Sequence, residues 1–69
     1  MPEGTVKKYV ADRAYGFIRP DAGGPDIFFH IKAFPLGTIP EFDMRVSYDT
    51  AVSPRNGKLE AVGVQLLGW

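Results

Sequence analysis

Cysteine is absent from this chain. Its absence excludes disulfides and any zinc–thiolate centre and fits a reducing compartment. Histidine and tryptophan occur once each, as His30 and Trp69. One histidine and no thiol leave few arrangements for nucleophilic or metal chemistry, so the chain is not expected to be an enzyme or to need a cofactor, a metal or a small-molecule substrate. The acids sit mostly at turns, as Asp21, Asp26 and Asp43 do, where Asp is favoured for backbone reasons. No apolar run approaches the roughly 20 residues of a membrane helix. Met1-Pro2-Glu3-Gly4 lacks the basic and apolar regions of a signal peptide. The expectation is a soluble cytoplasmic protein with no membrane partner. A Gly-rich phosphate cradle followed by a helix is also missing, because Gly23-Gly24 leads into Pro25 and a strand.

An excess of either charge is lacking too, the formal net charge being zero. Long-range steering of a charged partner should therefore be weak. The distribution is less even than the total. Residues 1–19 carry Lys7, Lys8, Arg13 and Arg19 against Glu3 and Asp12, whereas Glu41, Asp43 and Asp49 cluster around Arg45 further on. At 69 residues the chain is expected to be one domain, 1–69, with no room for a second core. A chain this small buries only about 60% of its unfolded surface, so its stability should be marginal.

What is present is a succession of short β-prone runs, with no convincing helical period. Residues 4–10 form the first and 15–20 the second, followed by turn residues at Asp21–Pro25. Asp26 to Ile31 is the third. Lys32 to Asp43 contains Pro35, Gly37 and Pro40 and cannot be one regular element. Met44 to Thr50 alternates cleanly, with Met44, Val46, Tyr48 and Thr50 on one face. Asn56-Gly57 suits a tight hairpin before a last strand, Lys58 to Leu67. The apolar phase of that strand shifts, which predicts a bulge between Ala61 and Gly63. Five strands and one longer connection suggest a small closed barrel.

Strand alternation divides the aromatic residues of the second and third strands. Tyr15 and Phe17 share one face, Gly16 and Ile18 the other; Phe28 and His30 oppose Ile27, Phe29 and Ile31. Ile18, Ile27, Ile31 and Phe29, with Met44, Val46 and Tyr48, make a sensible lining. The remaining set is Tyr15, Phe17, Phe28 and His30. Burying the polar ring of His30 without a partner would cost roughly 1–3 kcal/mol, so this set is expected to face outward. Aromatic residues in a strand more often belong to a core, so two strands apolar on both faces require a cover. Either another domain or a protein partner supplies it, or the rings receive unpaired bases beside Lys and Arg.

Tyr15-Gly16-Phe17-Ile18 and Asp26-Ile27-Phe28-Phe29-His30 resemble the two ribonucleoprotein motifs of cold-shock domains. The resemblance extends to Gly4-Thr5-Val6-Lys7, Pro20-Asp21-Ala22-Gly23-Gly24, Val46-Ser47-Tyr48 and Arg55-Asn56-Gly57, nearly the whole chain. It implies an all-β, five-stranded antiparallel OB-type barrel that binds single-stranded RNA or DNA, often as an RNA chaperone or a transcription or translation regulator. The RNA-recognition-motif fold shares a similar Gly-aromatic signature but needs two helices. Departures from the family are specific. Lys8 stands where the family usually has Trp, Val10 where it has Asn, Ala14 where it has Gly, and Ile31 where bacterial members carry a further Phe. The family's loop aromatic has no counterpart near Gly37, although Leu36 could supply apolar contact.

On this reading Tyr15, Phe17 and Phe28 stack bases, and His30 stacks or donates a hydrogen bond. Lys7, Lys8 and Arg13 border the face and contact phosphates, as do Arg55 and Lys58 of the last hairpin. Tyr9 either extends the platform or packs on the barrel edge. Gly16 permits close approach, Asp26 orients a base or starts a strand, and Phe34 and Phe42 are core or loop anchors. The chain is expected to be a monomer. The alternative is an OB-type protein-interaction module with a reduced platform, for which Leu66-Leu67-Gly68-Trp69 could be a docking tail.

Overall fold

A computed structural model describes residues 2–68, so Trp69 and any docking role for it lie outside the described residues. Five strands follow one another: β1 (Glu3–Val10), β2 (Tyr15–Pro20), β3 (Ile27–His30), β4 (Arg45–Val52) and β5 (Leu59–Gly68). They close into a barrel in the order β1-β2-β3-β5-β4. Four contacts are antiparallel, and the closing contact of β3 with β5 is parallel. Parity requires this. Strand direction cannot alternate all the way round a ring of five, so one pair must run the same way.

The interior holds Val6, Ile18, Phe29, Val46 and Tyr48, all nearly inaccessible, with Phe34, Met44, Ala61 and Val64 around them. Ile27 and Ile31 pack against this core from its margin. The alternation expected for β4 holds through Tyr48, but Thr50 is exposed near the hairpin end. The β5 bulge lies one step later than expected. Ser47 pairs with Gln65 and Asp49 with Val62, so Tyr48 is opposed by Gly63 and Val64. Gly63 takes φ +57° there, a left-handed conformation glycine adopts without penalty. The extra residue lets Ala61 and Val64 both point inward, three positions apart, while Leu66 remains exposed.

Other differences are local. β3 ends at His30, and Ile31–Ala33 form one 3₁₀ turn. The last hairpin is wider than a two-residue turn: Ser53 and Lys58 close it through Ser53 N–H to Lys58 O at 2.8 Å. Arg45 does not gather the nearby Glu41, Asp43 and Asp49. Its guanidinium grips Asp21 with two bonds of 2.7 Å, reaches Thr5 Oγ1 at 3.0 Å and lies 3.6 Å from Glu3. As a strand residue it projects away from the loop acids that surround it in sequence, toward β1 and the β2–β3 turn. Among the described residues no helix is long and apolar enough to cross a membrane.

Candidate nucleic-acid interface

The outer face of β1, β2 and β3 is organised by strand register. Tyr15 pairs with His30 and Phe17 with Phe28, so four side chains of one set stand as two adjacent rows. All four are half-buried, on the side of the sheet opposite Ile18 and Phe29. The three carbocyclic rings touch one another, with centroids 5.5 Å apart for Tyr15–Phe28 and 6.1 Å for the other two pairs. Two of the three contacts are edge-on and the third is tilted. Edge-on contact leaves ring faces available for a further stacking partner.

A bulge in β1 decides what borders this cluster. Val6 pairs with Ile18 and Lys8 with Phe17, so Lys7 is the inserted residue and two lysines oppose one phenylalanine. The same slip turns Tyr9 away from the platform. It pairs with Gly16 and stacks on Phe29, with centroids at 6.2 Å and planes 10° apart. Gly16 is required below it, because a Cβ there would overlap the Lys8 carbonyl oxygen and come 2.7 Å from Phe29 Cζ. Val10 pairs with Tyr15 at the far end of the sheet.

His30 has a structural duty as well as a place on the face. Its Nδ1 accepts the Lys32 N–H at 3.1 Å, capping the 3₁₀ turn. In the neutral ring the proton then sits on Nε2, which is left as the donor. Ile31 sits in that turn and packs against the core, so it does not join the outer face. Arg13 is exposed in the β1–β2 turn beside Tyr15.

Pairing of Phe28 with Glu60 brings the last hairpin alongside. An open groove of about 580 Å³ runs between them, lined by Phe17, Asp26, Phe28, Asn56, Lys58 and Glu60 among others. The fold thus gathers Lys8, Tyr15, Phe17, Phe28, His30 and Lys58, with Arg13 at one end. Lys7 is set to one side, its Nζ 5.6 Å from the centroid of the Phe42 ring. Arg55 is exposed on the hairpin tip and does not line the groove. Phe34 is a core residue, as anticipated, whereas Phe42 is 62% exposed. Glu60 and Asn56 were not visible as site residues in the sequence, since only the parallel β3–β5 contact places them there.

The ion pair around Arg45 lies apart from this face. Its hydrogen bonds hold the Asp21 carboxyl below the usual carboxylate range and the guanidinium above its own. Burial, with a smaller contribution from the Asp21 charge, pushes the Tyr48 phenol up.

The family model described as 'Cold-shock' DNA-binding domain matches residues 2–67. The chain belongs to the cold-shock domain family. A probable cold shock protein of Sinorhizobium fredii is 36% identical, the match covering 94% of this chain and 97% of that one. A cold shock-like protein of Bordetella pertussis is 40% identical, over 97% of this chain and 100% of its own length. Human calcium-regulated heat-stable protein 1 is 38% identical over 90% of this chain, which spans only 43% of that protein. Among solved structures, drosophila Unr CSD456 superposes with a TM-score of 0.79 at 18% identity, covering 96% of this chain and 26% of that one. That likeness is one of fold, and it shows the cold-shock domain's OB-type barrel in this chain.

Proposed function

We propose that this cold-shock domain binds single-stranded RNA or DNA on the outer face of β1, β2 and β3. Bases stack on Tyr15, Phe17 and Phe28. His30 stacks or donates from Nε2, and Lys8, Lys58 and Arg13 meet phosphates. The carrying observation is the three-ring cluster outside a barrel whose interior is already filled by Phe29, Tyr48 and the aliphatic residues. Rings that the core does not need, beside cations and half-open to solvent, fit the sequence-tolerant stacking of single-stranded binders. Lys7 and Arg55 are peripheral phosphate contacts in this reading. The mode of action is that of an RNA chaperone or regulator: one domain, monomeric, cytoplasmic and non-enzymatic.

The interface is a reduced one. Lys8 replaces a stacking ring with a cation, and Glu60 sets a negative charge in register with Phe28. Affinity should therefore be lower and more salt-dependent than in members that keep the full set of rings. Chemical-shift mapping with an oligopyrimidine tests the proposal. Shifts concentrated at Tyr15, Phe17, Phe28, His30 and the neighbouring lysines are expected. A spectrum unmoved at millimolar ligand would discard it in favour of a protein-interaction module, the reading favoured by the exposed pair Val52 and Leu59 on the last hairpin.

A further inference from the structure

Phe42 is the one aromatic residue among those described that is mostly exposed, at 62%. The residues on either side of it are nonetheless held by hydrogen bonds. Asp43 N–H donates to Val6 O at 2.8 Å, Val6 N–H to Met44 O at 2.9 Å, and Met44 N–H to Glu41 O at 3.2 Å. Asp43 adopts φ +70° to complete this turn. An apolar ring is thus held out in water on an anchored segment hydrogen-bonded to β1. Its neighbour is Lys7, whose ammonium lies 5.6 Å from the ring centroid, within reach of a cation–π attraction. Lys7 is the inserted residue of the β1 bulge and, with Lys8, opposes Phe17. Phe42, Lys7, Phe17 and Phe28 therefore follow one another across the barrel, from the β4 side of β1 to β3.

We propose that Phe42 is a further stacking ring, receiving the nucleobase at one end of a bound strand, with Lys7 meeting the phosphate between that base and the one on Phe17. This deepens the single-stranded nucleic-acid reading and rests on it. The register that sets Lys7 and Lys8 opposite Phe17 and the cation beside the Phe42 ring point to a nucleic-acid strand, since an apolar peptide would gain nothing from the ammonium. The chain has Lys8 and Ile31 in place of two of the family's rings. One lost ring is made good from a different element.

Oligothymidylates of about four and about eight nucleotides, both within the range one such barrel can hold, separate the outcomes. The shorter strand is accommodated by the three-ring cluster; the longer one reaches Phe42. Phe42→Ala should weaken the longer strand at least about fivefold and leave the shorter one unchanged, with an unaltered melting temperature. Phe42→Trp should keep or raise affinity for the longer strand. Equal binding of the longer strand by wild type and Phe42→Ala, while Phe17→Ala weakens both strands, would overturn the role of Phe42 and leave the main interface standing. Indifference of both strands to Phe17→Ala would remove the interface itself, and this proposal with it.

Discussion

Ala14 should be a destabilising choice, and replacing it with glycine should make the protein more stable. The residue sits in the β1–β2 turn at φ +59°, where the Cβ of an L-residue approaches the following carbonyl and costs about 1–2 kcal/mol. Glycine escapes that clash but loses more freedom on folding, by about 0.5–1 kcal/mol. Little apolar contact is at stake, since Ala14 is only half-buried. Its tertiary bond is made by the backbone, Ile31 N–H donating to Ala14 O at 2.8 Å, and survives the substitution. The net gain for Ala14→Gly is about 0.5–1 kcal/mol. For a domain of this size that raises the melting temperature by about 2–8 °C, read by circular dichroism against Ala33→Gly, at a residue with ordinary φ, which should melt lower. A melting temperature that stays put or falls in Ala14→Gly would rule this strain out. Backbone strain would then not be what distinguishes this turn.

Gly16→Ala should destabilise by at least about 2 kcal/mol, because the new methyl meets the Lys8 carbonyl and the Phe29 ring; urea unfolding with a wild-type midpoint would contradict the packing. Lys8→Trp should restore a ring opposite Phe17, raising oligopyrimidine affinity at least about fivefold and flattening the slope of log K against log salt by about 0.7. An unchanged slope would show that Lys8 meets no phosphate. The Asp21–Arg45 pair gives an acid dependence of definite sign. The folded carboxyl titrates below its unfolded value of about 3.9, so its stabilisation is complete above that pH and disappears as pH falls through the folded value. Asp21→Asn should therefore lose less stability than wild type in thermal melts below about pH 4, and parallel acid slopes would exclude the pair as the cause.

Much of this architecture could be read directly. The period-two pattern of Met44, Val46 and Tyr48 made β4 legible, and the same alternation separated Ile18 and Phe29 from Tyr15, Phe17, Phe28 and His30. Both were recoverable because side-chain direction in a strand is a local property: once one residue of a run is known to face inward, its neighbours follow. The outward placement of His30 came from the same source together with the cost of an unpartnered polar ring. Its capping bond to the Lys32 N–H was not foreseeable, since it depends on the chain turning at Ile31.

What lay beyond the sequence is of another kind. The bulge at Lys7 adds one residue to one strand, and nothing in Thr-Val-Lys-Lys-Tyr announces it. That single slip sends Tyr9 to the interior edge, sets Lys8 against Phe17 and leaves Lys7 to Phe42. An odd number of strands guarantees one parallel contact in a closed ring, but which pair it falls on is a matter of closure. Its falling on β3 and β5 brings Glu60 beside Phe28 and Lys58 into the groove. Likewise, Arg45 reaches past β1 to Asp21 rather than to the acids near it in sequence. Local chemistry thus determined which residues each strand offers to either face. Tertiary pairing decided their neighbours, because register and closure are set by contacts between segments far apart in the chain.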